Sequence, residues 1–361
     1  MSFPLLRLEG SARAQGRAHG ETLRAEVRNN LEVYFARFEA EGLPRAAVLE
    51  RAQRYLYEAF PCDPDYLEGL YGLAEGAGVD LTELAALNAR YEILYDRFSR
   101  RALADGCTSV AVEPGRSADG HTWLAQNWDW IPHVRCALLH TVEPDLEVLA
   151  FTEAGIFGGK LGLNSYGLGL CINGLQSTAD GWARLRTPFH ARTRQVLRAR
   201  SLEAARASVE GEVRNTSGNF LIAQAGQGAI DLEAAPETLR ALRPQQGLLV
   251  HANHFENPAV LGVAEPPRSA HSSTLARAAR VRELAGRTER IGRADLERFL
   301  RDPKGAPYGV CRRVNAQDPP IEHYLTVTSV IMDLEERALW LTDGPPDTAE
   351  YRCYRLGELK S

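Results

Sequence analysis

Up to about residue 100, apolar positions recur with a helical period. Leu23, Val27, Leu31, Tyr34, Phe35 and Phe38 fall at i, i+4, i+8, i+11, i+12 and i+15, one stripe along a long helix. After the turn at Pro44 a second helix carries Val48, Ala52, Tyr55 and Ala59, and Pro61 and Pro64 end it. A short third helix holds Leu67, Leu70, Tyr71 and Ala74. A fourth opens at Asp80, with Glu83 completing a capping box, and buries Leu84, Leu87, Tyr91, Leu94 and Phe98.

Past residue 105 the period changes. Short alternating or continuous apolar runs predict strands at 108–112, 122–126, 137–142, 146–151 and 168–172, with glycines punctuating the turns between them. A helix follows over 192–209, then strands at 220–223, 230–233 and 248–252. Ser272 or Ser273 caps a helix running to about 284, and 295–300 belongs to another. The chain closes on a strand pair, 325–333 and 338–342, turning at Glu335-Glu336-Arg337. Helices first, then strands, helices and strands, imply an α+β fold of stacked sheets covered by helices.

Composition narrows the function classes. The 361 residues are enough for a large core, whether as two domains or as one layered unit. A net charge of −5 is too mild for a nucleic-acid or membrane-surface partner. No apolar run approaches the roughly 20 residues of a membrane helix, and the N-terminus lacks the basic and apolar regions of a signal peptide. Six widely spaced cysteines with no CxxC pair read as reduced thiols in a cytoplasmic protein. Of the 42 basic residues only Lys160, Lys304 and Lys360 are lysines, a bias that by itself assigns no anion site.

One cysteine sits in a different neighbourhood. Ala104-Asp105-Gly106-Cys107-Thr108 lies where helix gives way to strand. A glycine before a cysteine accepts strained backbone angles and leaves its carbonyl open to approach. The thiol can attack that carbonyl, shift the acyl group from N to S and, after hydrolysis, free Cys107 with its own α-amine. An amine with a pKa of about 7.7–8.0 can then serve as general base to the adjacent thiol. Asp-Gly-Cys alone also fits a buried cysteine opening a strand. Downstream, polar residues recur beside glycines: Gln126-Asn127-Trp128-Asp129-Trp130, Thr152-Glu153-Ala154-Gly155, Gly162-Leu163-Asn164-Ser165, Cys171-Ile172-Asn173-Gly174 and His251-Ala252-Asn253-His254. Such an arrangement can line a polar cleft at a sheet edge.

In this order and spacing the chain resembles the acyl-coenzyme A:6-aminopenicillanic-acid acyltransferase family of self-cleaving N-terminal-nucleophile hydrolases. The resemblance runs from the Gly16…His19-Gly20-Glu21 helix to the terminal hairpin. It is carried by Asp-Gly-Cys-Thr, Gln-Asn-Trp-Asp, Thr-Glu-Ala-Gly, Gly-Leu-Asn-Ser, the Asn-His element and Cys311-Arg312. It implies a four-layer αββα sandwich, with residues 1–106 as a helical prosegment and 107–361 as the catalytic chain. After cleavage between Gly106 and Cys107, both fragments would remain in one folded unit. It further implies that Cys107 is nucleophile and processing residue, that Asp129 holds the Cys107 amine or a nearby strand, and that Asn253 donates to the oxyanion. Arg312 would pair with a substrate carboxylate or a buried acid. With Arg312, the expected substrate-binding residues are Trp128 and Asn173. The substrate class is a small-molecule amide or acyl thioester. No cofactor is implied, although acyl-CoA could be a donor. The chain departs from the family at Gly309, where relatives often carry serine two residues before the cysteine.

Other readings stay open beside these. Asp129 and Asn253 also suit turn-forming roles, Arg312 a structural salt bridge, and Asn173, Asn164 and Glu153 structural hydrogen bonding. Trp128, Trp130 and Phe157 read equally as walls of an acyl pocket or as core. His251 and His254 lack a convincingly spaced third ligand, so no metal is expected. A papain-like triad lacks its local sequence signature. Function as an unprocessed, non-catalytic relative that binds an acylated ligand or partner is the alternative to an active enzyme.

Overall fold

The computed structural model describes residues 3–98, 106–268 and 271–359, with the side chains of 95–98 outside the description. The Phe98 side chain and the Ala104-Asp105 part of the cleavage motif therefore lie outside the described residues.

Among the described residues the first part holds six α-helices: α1 (Ala12–Thr22), α2 (Arg24–Ala40), α3 (Arg45–Arg54), α4 (Pro64–Ala77), α5 (Leu81–Asn88) and α6 (Arg90–Phe98). The stripe on α2 is buried as the periodicity predicts, and Asp80 caps α5 by accepting from the amides of Thr82 and Glu83. The expected fourth helix breaks at Ala89 into α5 and α6. A strand precedes the helices, β1 (Leu5–Glu9), in a region the helical reading did not cover.

Helices α1 and α4 cross on glycines. A Cβ on Gly16 would lie 2.1 Å from the Gly69 carbonyl oxygen, and one on Gly72 would lie 2.0 Å from that of Arg13. The backbones touch where side chains normally stand. Gly72→Ala is therefore expected to destabilise the chain by about 3 kcal/mol, the upper end of overpacking costs, read as a lower urea midpoint. An unchanged midpoint would contradict this contact.

The remaining strands are β2 (Thr108–Val112), β3 (Trp123–Trp130), β4 (Cys136–Glu143), β5 (Leu146–Glu153), β6 (Leu161–Asn164), β7 (Leu168–Gly174), β8 (Gly218–Gln224), β9 (Gly228–Ala234), β10 (Leu239–Leu242), β11 (Leu248–His251), β12 (Leu325–Asp333), β13 (Ala338–Leu341) and β14 (Arg352–Arg355). They form an eight-stranded sheet, β1-β4-β5-β6-β7-β8-β9-β10, and a six-stranded sheet, β11-β2-β3-β12-β13-β14. Strands β2 and β3 of the second sheet face β7 and β8 of the first. The expected helix at 192–209 is two helices, α7 (Phe189–Leu197) and α8 (Leu202–Glu210), restarted by the Ser201 cap. They cover β6–β9, and α1 lies on β1. A one-turn α9 (Pro258–Leu261) follows β11. Then α10 (Thr274–Gly286) and α11 (Arg293–Leu300) cover the six-stranded sheet, burying Ala278, Val281, Leu296 and Phe299 on Val110, Ala125 and Val250. The result is the four-layer αββα sandwich of an α+β protein.

The N-terminal helices are tied to the first sheet by buried polar side chains. Asn30 Nδ2 donates to the carbonyls of Arg135 and Ala154, both at 2.8 Å, and its Oδ1 accepts from the Arg135 amide. Asn88 Nδ2 donates to the Gly155 carbonyl while its Oδ1 accepts from the Phe157 amide. His19 Nε2 accepts from the Gly155 amide at 3.2 Å, which requires the neutral ring, and burial lowers its pKa to about 4. Deeper still, Glu153 takes hydrogen bonds from Tyr34, Arg90 and Lys160, all enclosed, and Trp130 donates to the Tyr34 hydroxyl.

Candidate active site

Sheet register assembles the site. β2 pairs with β3 through Thr108↔Asn127 and with β11 through Ser109↔His251. Continuing both antiparallel ladders past their last pairs sets Gly106 against Asp129 and Cys107 against Asn253. The side chains agree. Asn253 Oδ1 accepts from the Gly106 amide at 3.1 Å, and the Cys107 thiol lies 3.7 Å from the Asp129 carbonyl oxygen. A Cβ on Gly106 would come within 2.6 Å of the Asp129 Cβ, so this approach admits glycine alone. The two residues on either side of the Gly106–Cys107 bond are thus held, Gly106 by Asn253 just past β11 and Cys107 by Asp129 on β3.

Cys107 is only 5% exposed. Burial pushes its thiol up to about 12, and the Asp129 carboxylate adds to that. The charges of Arg277 and Lys160 act the other way. In the uncleaved chain the thiol is neutral.

Asp129 is positioned by a β-bulge. The β3–β12 register slips between Thr326 and Thr328, which sets Thr326 opposite Asp129, and its hydroxyl donates to Asp129 Oδ1 at 2.7 Å. The same Thr326 hydroxyl accepts from the Arg312 amide. Arg312 itself is buried, its guanidinium over the rings of Tyr308 and Tyr324 at 5.3 and 5.8 Å. Arg312 thus stands one residue removed from Asp129.

The other expected residues fall elsewhere. Trp128 is wholly enclosed between the sheets, with Lys160 Nζ 3.8 Å from its ring centre and Phe151 against it. Asn173 Oδ1 accepts from the Ser109 hydroxyl at 2.7 Å and from Asn219, beneath β2. Most motif residues join layers: Gln126 bonds both backbone groups of Ile172, Asn127 the carbonyls of Leu300 and Val310, and Asn164 those of Leu197 and Ala199. His251 and His254 stack ring on ring, and their nitrogens serve the Ala252 carbonyl, Glu233 and Thr274. At Gly309 a Cβ would meet the Lys304 carbonyl oxygen at 2.5 Å, so the departure from serine matches a close turn of backbone.

Arg277 is the residue that sequence reasoning missed. From α10 its Nη1 donates to the Cys107 carbonyl and the Thr108 hydroxyl, both at 2.6 Å, and its Nη2 to Asn253 Oδ1 at 3.1 Å. Its Nε donates to Ser273, the residue expected as a helix cap. The available signal was its place in the apolar stripe of α10, one position from Ala278 and four from Val281. Arg277 also borders a cavity of about 530 Å³ between α10 and the Lys304–Val310 turn, lined further by Ala276, Tyr308 and Gly309.

The fold and this constellation fit an acyl-transfer enzyme, either acyltransferase or amide hydrolase. A profile of the acyl-coenzyme A:6-aminopenicillanic acid acyl-transferase family matches residues 116–348, and the chain belongs to that family. Cys107 itself precedes the matched span. The 40 kDa form of acyl-coenzyme A:6-aminopenicillanic-acid acyltransferase from Emericella nidulans is 27% identical over 252 residues, covering 68% of each chain. Among solved structures, a mutant conjugated bile acid hydrolase from Clostridium perfringens aligns at 13% identity with a TM-score of 0.47, over 70% of this chain and 93% of that one. Penicillin V acylase from Agrobacterium tumefaciens aligns at 13% identity with a TM-score of 0.44, over 70% and 87%. No helix among the described residues is long and apolar enough to cross a membrane, and all six cysteines are free.

Proposed function

We propose that the chain is a self-processing amidohydrolase or acyltransferase whose nucleophile is Cys107. The observation that carries this reading is the pinning of Gly106 by Asn253 and of Cys107 by Asp129, on either side of the bond between them, with a buried thiol on the residue that follows the glycine. In processing, Sγ attacks the Gly106 carbonyl carbon, the C–N bond breaks, and the departing nitrogen keeps the thiol proton as a free α-amine. Water then hydrolyses the thioester, leaving the Gly106 carboxylate and the restored thiol. In turnover the amine takes the thiol proton and Sγ attacks a linear amide or an acyl thioester. The leaving group takes that proton, and water or an amine resolves the acyl-enzyme. No cofactor enters these steps, and acyl-CoA can serve only as a donor substrate.

Asn253 Nδ2 gives one hydrogen to the Gly174 carbonyl, at 3.0 Å, and its second hydrogen is the donor for the oxyanion. Asp129, fixed by Thr326, holds the strand beside the amine. Residues 1–106 and 107–361 stay together after the cut, since β1 is a strand of the larger sheet and Asn30, Asn88 and Arg90 reach across. The unpaired thiols suit a reducing compartment, the cytoplasm.

A trapping experiment tests the reading. With chromogenic acyl esters and N-acyl amino acids, rapid mixing should give a burst, and the quenched protein should carry the acyl mass on the peptide beginning at Cys107. Turnover that persists after Cys107 is fully alkylated would sink it.

A further inference from the structure

We propose that Arg277 is a positioning residue for this reaction: it fixes the Cys107 carbonyl and the Asn253 carboxamide, and its charge keeps the α-amine freed at Cys107 neutral and able to accept a proton. The inference rests on the self-cleavage reading above. A guanidinium on Asn253 Oδ1 excludes the flipped carboxamide, because an NH₂ group cannot face a cation that only donates. Nδ2 is thereby directed away, towards Gly174 and its remaining partner. When Gly106 departs, Asn253 loses the bond from the Gly106 amide, and Arg277 still holds it.

The same guanidinium sits on the carbonyl oxygen of the residue that would bear the amine, three bonds from the nitrogen. Among the described residues, ionisable groups face Cys107 from separate elements: Arg277 on α10, Lys160 ahead of β6, Asp129 on β3 and the neutral Cys171 thiol on β7. For an ammonium at this place, burial, Arg277 and Lys160 all oppose the charge. Of these groups Asp129 favours it, and its Oδ1 already accepts from Thr326. Burial, with the Arg277 guanidinium held on the Cys107 carbonyl, sets the balance towards free amine. An ordinary α-amine, with a pKa of about 7.7–8.0, is mostly protonated at neutral pH, so only a minor fraction of it is ready to act as the base.

The test begins with cleaved wild-type protein, its N-terminal Cys107 verified by sequencing, and competitive acetylation of the α-amine across pH. Half-ionisation is expected at least about one pH unit below the ordinary range of roughly 7.7–8.0. In Arg277→Gln the acid limb of kcat/KM should rise by about one pH unit, with activity falling about tenfold well below the limb, by a roughly fivefold or smaller factor near neutrality, and recovering in mild alkali. Arg277→Lys keeps the charge and should keep the limb within a few tenths of a unit. Equal losses at every pH in Arg277→Gln, with the limb unmoved, would reduce Arg277 to a structural clamp and overturn the proposal. A wild-type amine titrating at about 8 or above would do the same, even if Arg277→Gln did not fold. A chain never cut at Gly106–Cys107 would instead overturn the self-cleavage reading and this inference with it.

Discussion

Cys107→Ala is expected to remain one uncut chain of 39.8 kDa and to lose acyl-transfer turnover by on the order of 10⁴-fold or more. The substitution removes one sulfur from a buried site where cysteine acts as a small apolar residue, so the fold should survive at a cost of about 1 kcal/mol. Loss of both cutting and turnover from one atom is the signature of a shared nucleophile. Cys62→Ala and Cys353→Ala, at exposed positions away from the Gly106–Cys107 peptide, serve as controls and should behave as wild type. Measuring both fragmentation and turnover matters. A Cys107→Ala chain that is still cut but inactive would separate the two roles, and one that is active would remove Cys107 from the chemistry.

Glu153→Gln should be the most destabilising of the conservative substitutions. Burial alone would push the Glu153 carboxyl up, but Arg90, Lys160 and the Tyr34 hydroxyl outweigh it and hold the group below the usual carboxylate range. All three side chains of the Arg90–Glu153–Lys160 cluster are completely enclosed. Burial already lowers Lys160 to about 7, so without Glu153 it gives up its proton, and the Arg90 cation is left with no counter-charge in the interior, which costs about 3–5 kcal/mol. Denaturant unfolding measures it, with Asp145→Asn as a surface comparison. The Asp145–Arg200 pair is more than half exposed at both ends, and its loss should change stability by about 0–1 kcal/mol. Because the folded pKa of Glu153 is depressed, its contribution is present above the ordinary carboxylate range and lost as pH falls through the folded value. Acid should therefore narrow the gap between wild type and Glu153→Gln. An equal gap at all pH values would assign the effect to packing instead.

That cluster also shows what the sequence could and could not reveal. Glu153 stood out by its Thr-Glu-Ala-Gly setting, but its partners come from α2, α6 and the turn before β6, and one-dimensional patterns carry no record of such meetings. The stripe of α2 was readable because burial on one helix face repeats every 3.6 residues. β1 was not, since a five-residue edge strand has too few positions to declare a period. Gly16, Gly69 and Gly72 read as ordinary helix glycines until the crossing of α1 and α4 gave them a reason. Ser201 restarts the helix as the cap of α8 after α7 has ended at Leu197, a cap that apolar spacing alone overlooks.

The site was legible in part for the same reasons. Cys107 and Asp129 lie on adjacent strands and Asn253 just past a third, so one sheet register brings all three to a single peptide. Arg277 was hidden among 39 arginines of an Arg-rich chain and shows its role only when α10 is laid across β2. Trp128 and Asn173 belong to the same motifs, yet their side chains turn towards the facing sheet, to Lys160 and to Ser109.

Intact mass and N-terminal sequencing of the wild-type protein, under denaturing conditions after prolonged incubation, put the self-release of Cys107 to the most direct test. Two components are predicted, the larger comprising residues 107–361 and beginning at Cys107. A single uncut chain, or a cut at any other bond, would contradict it.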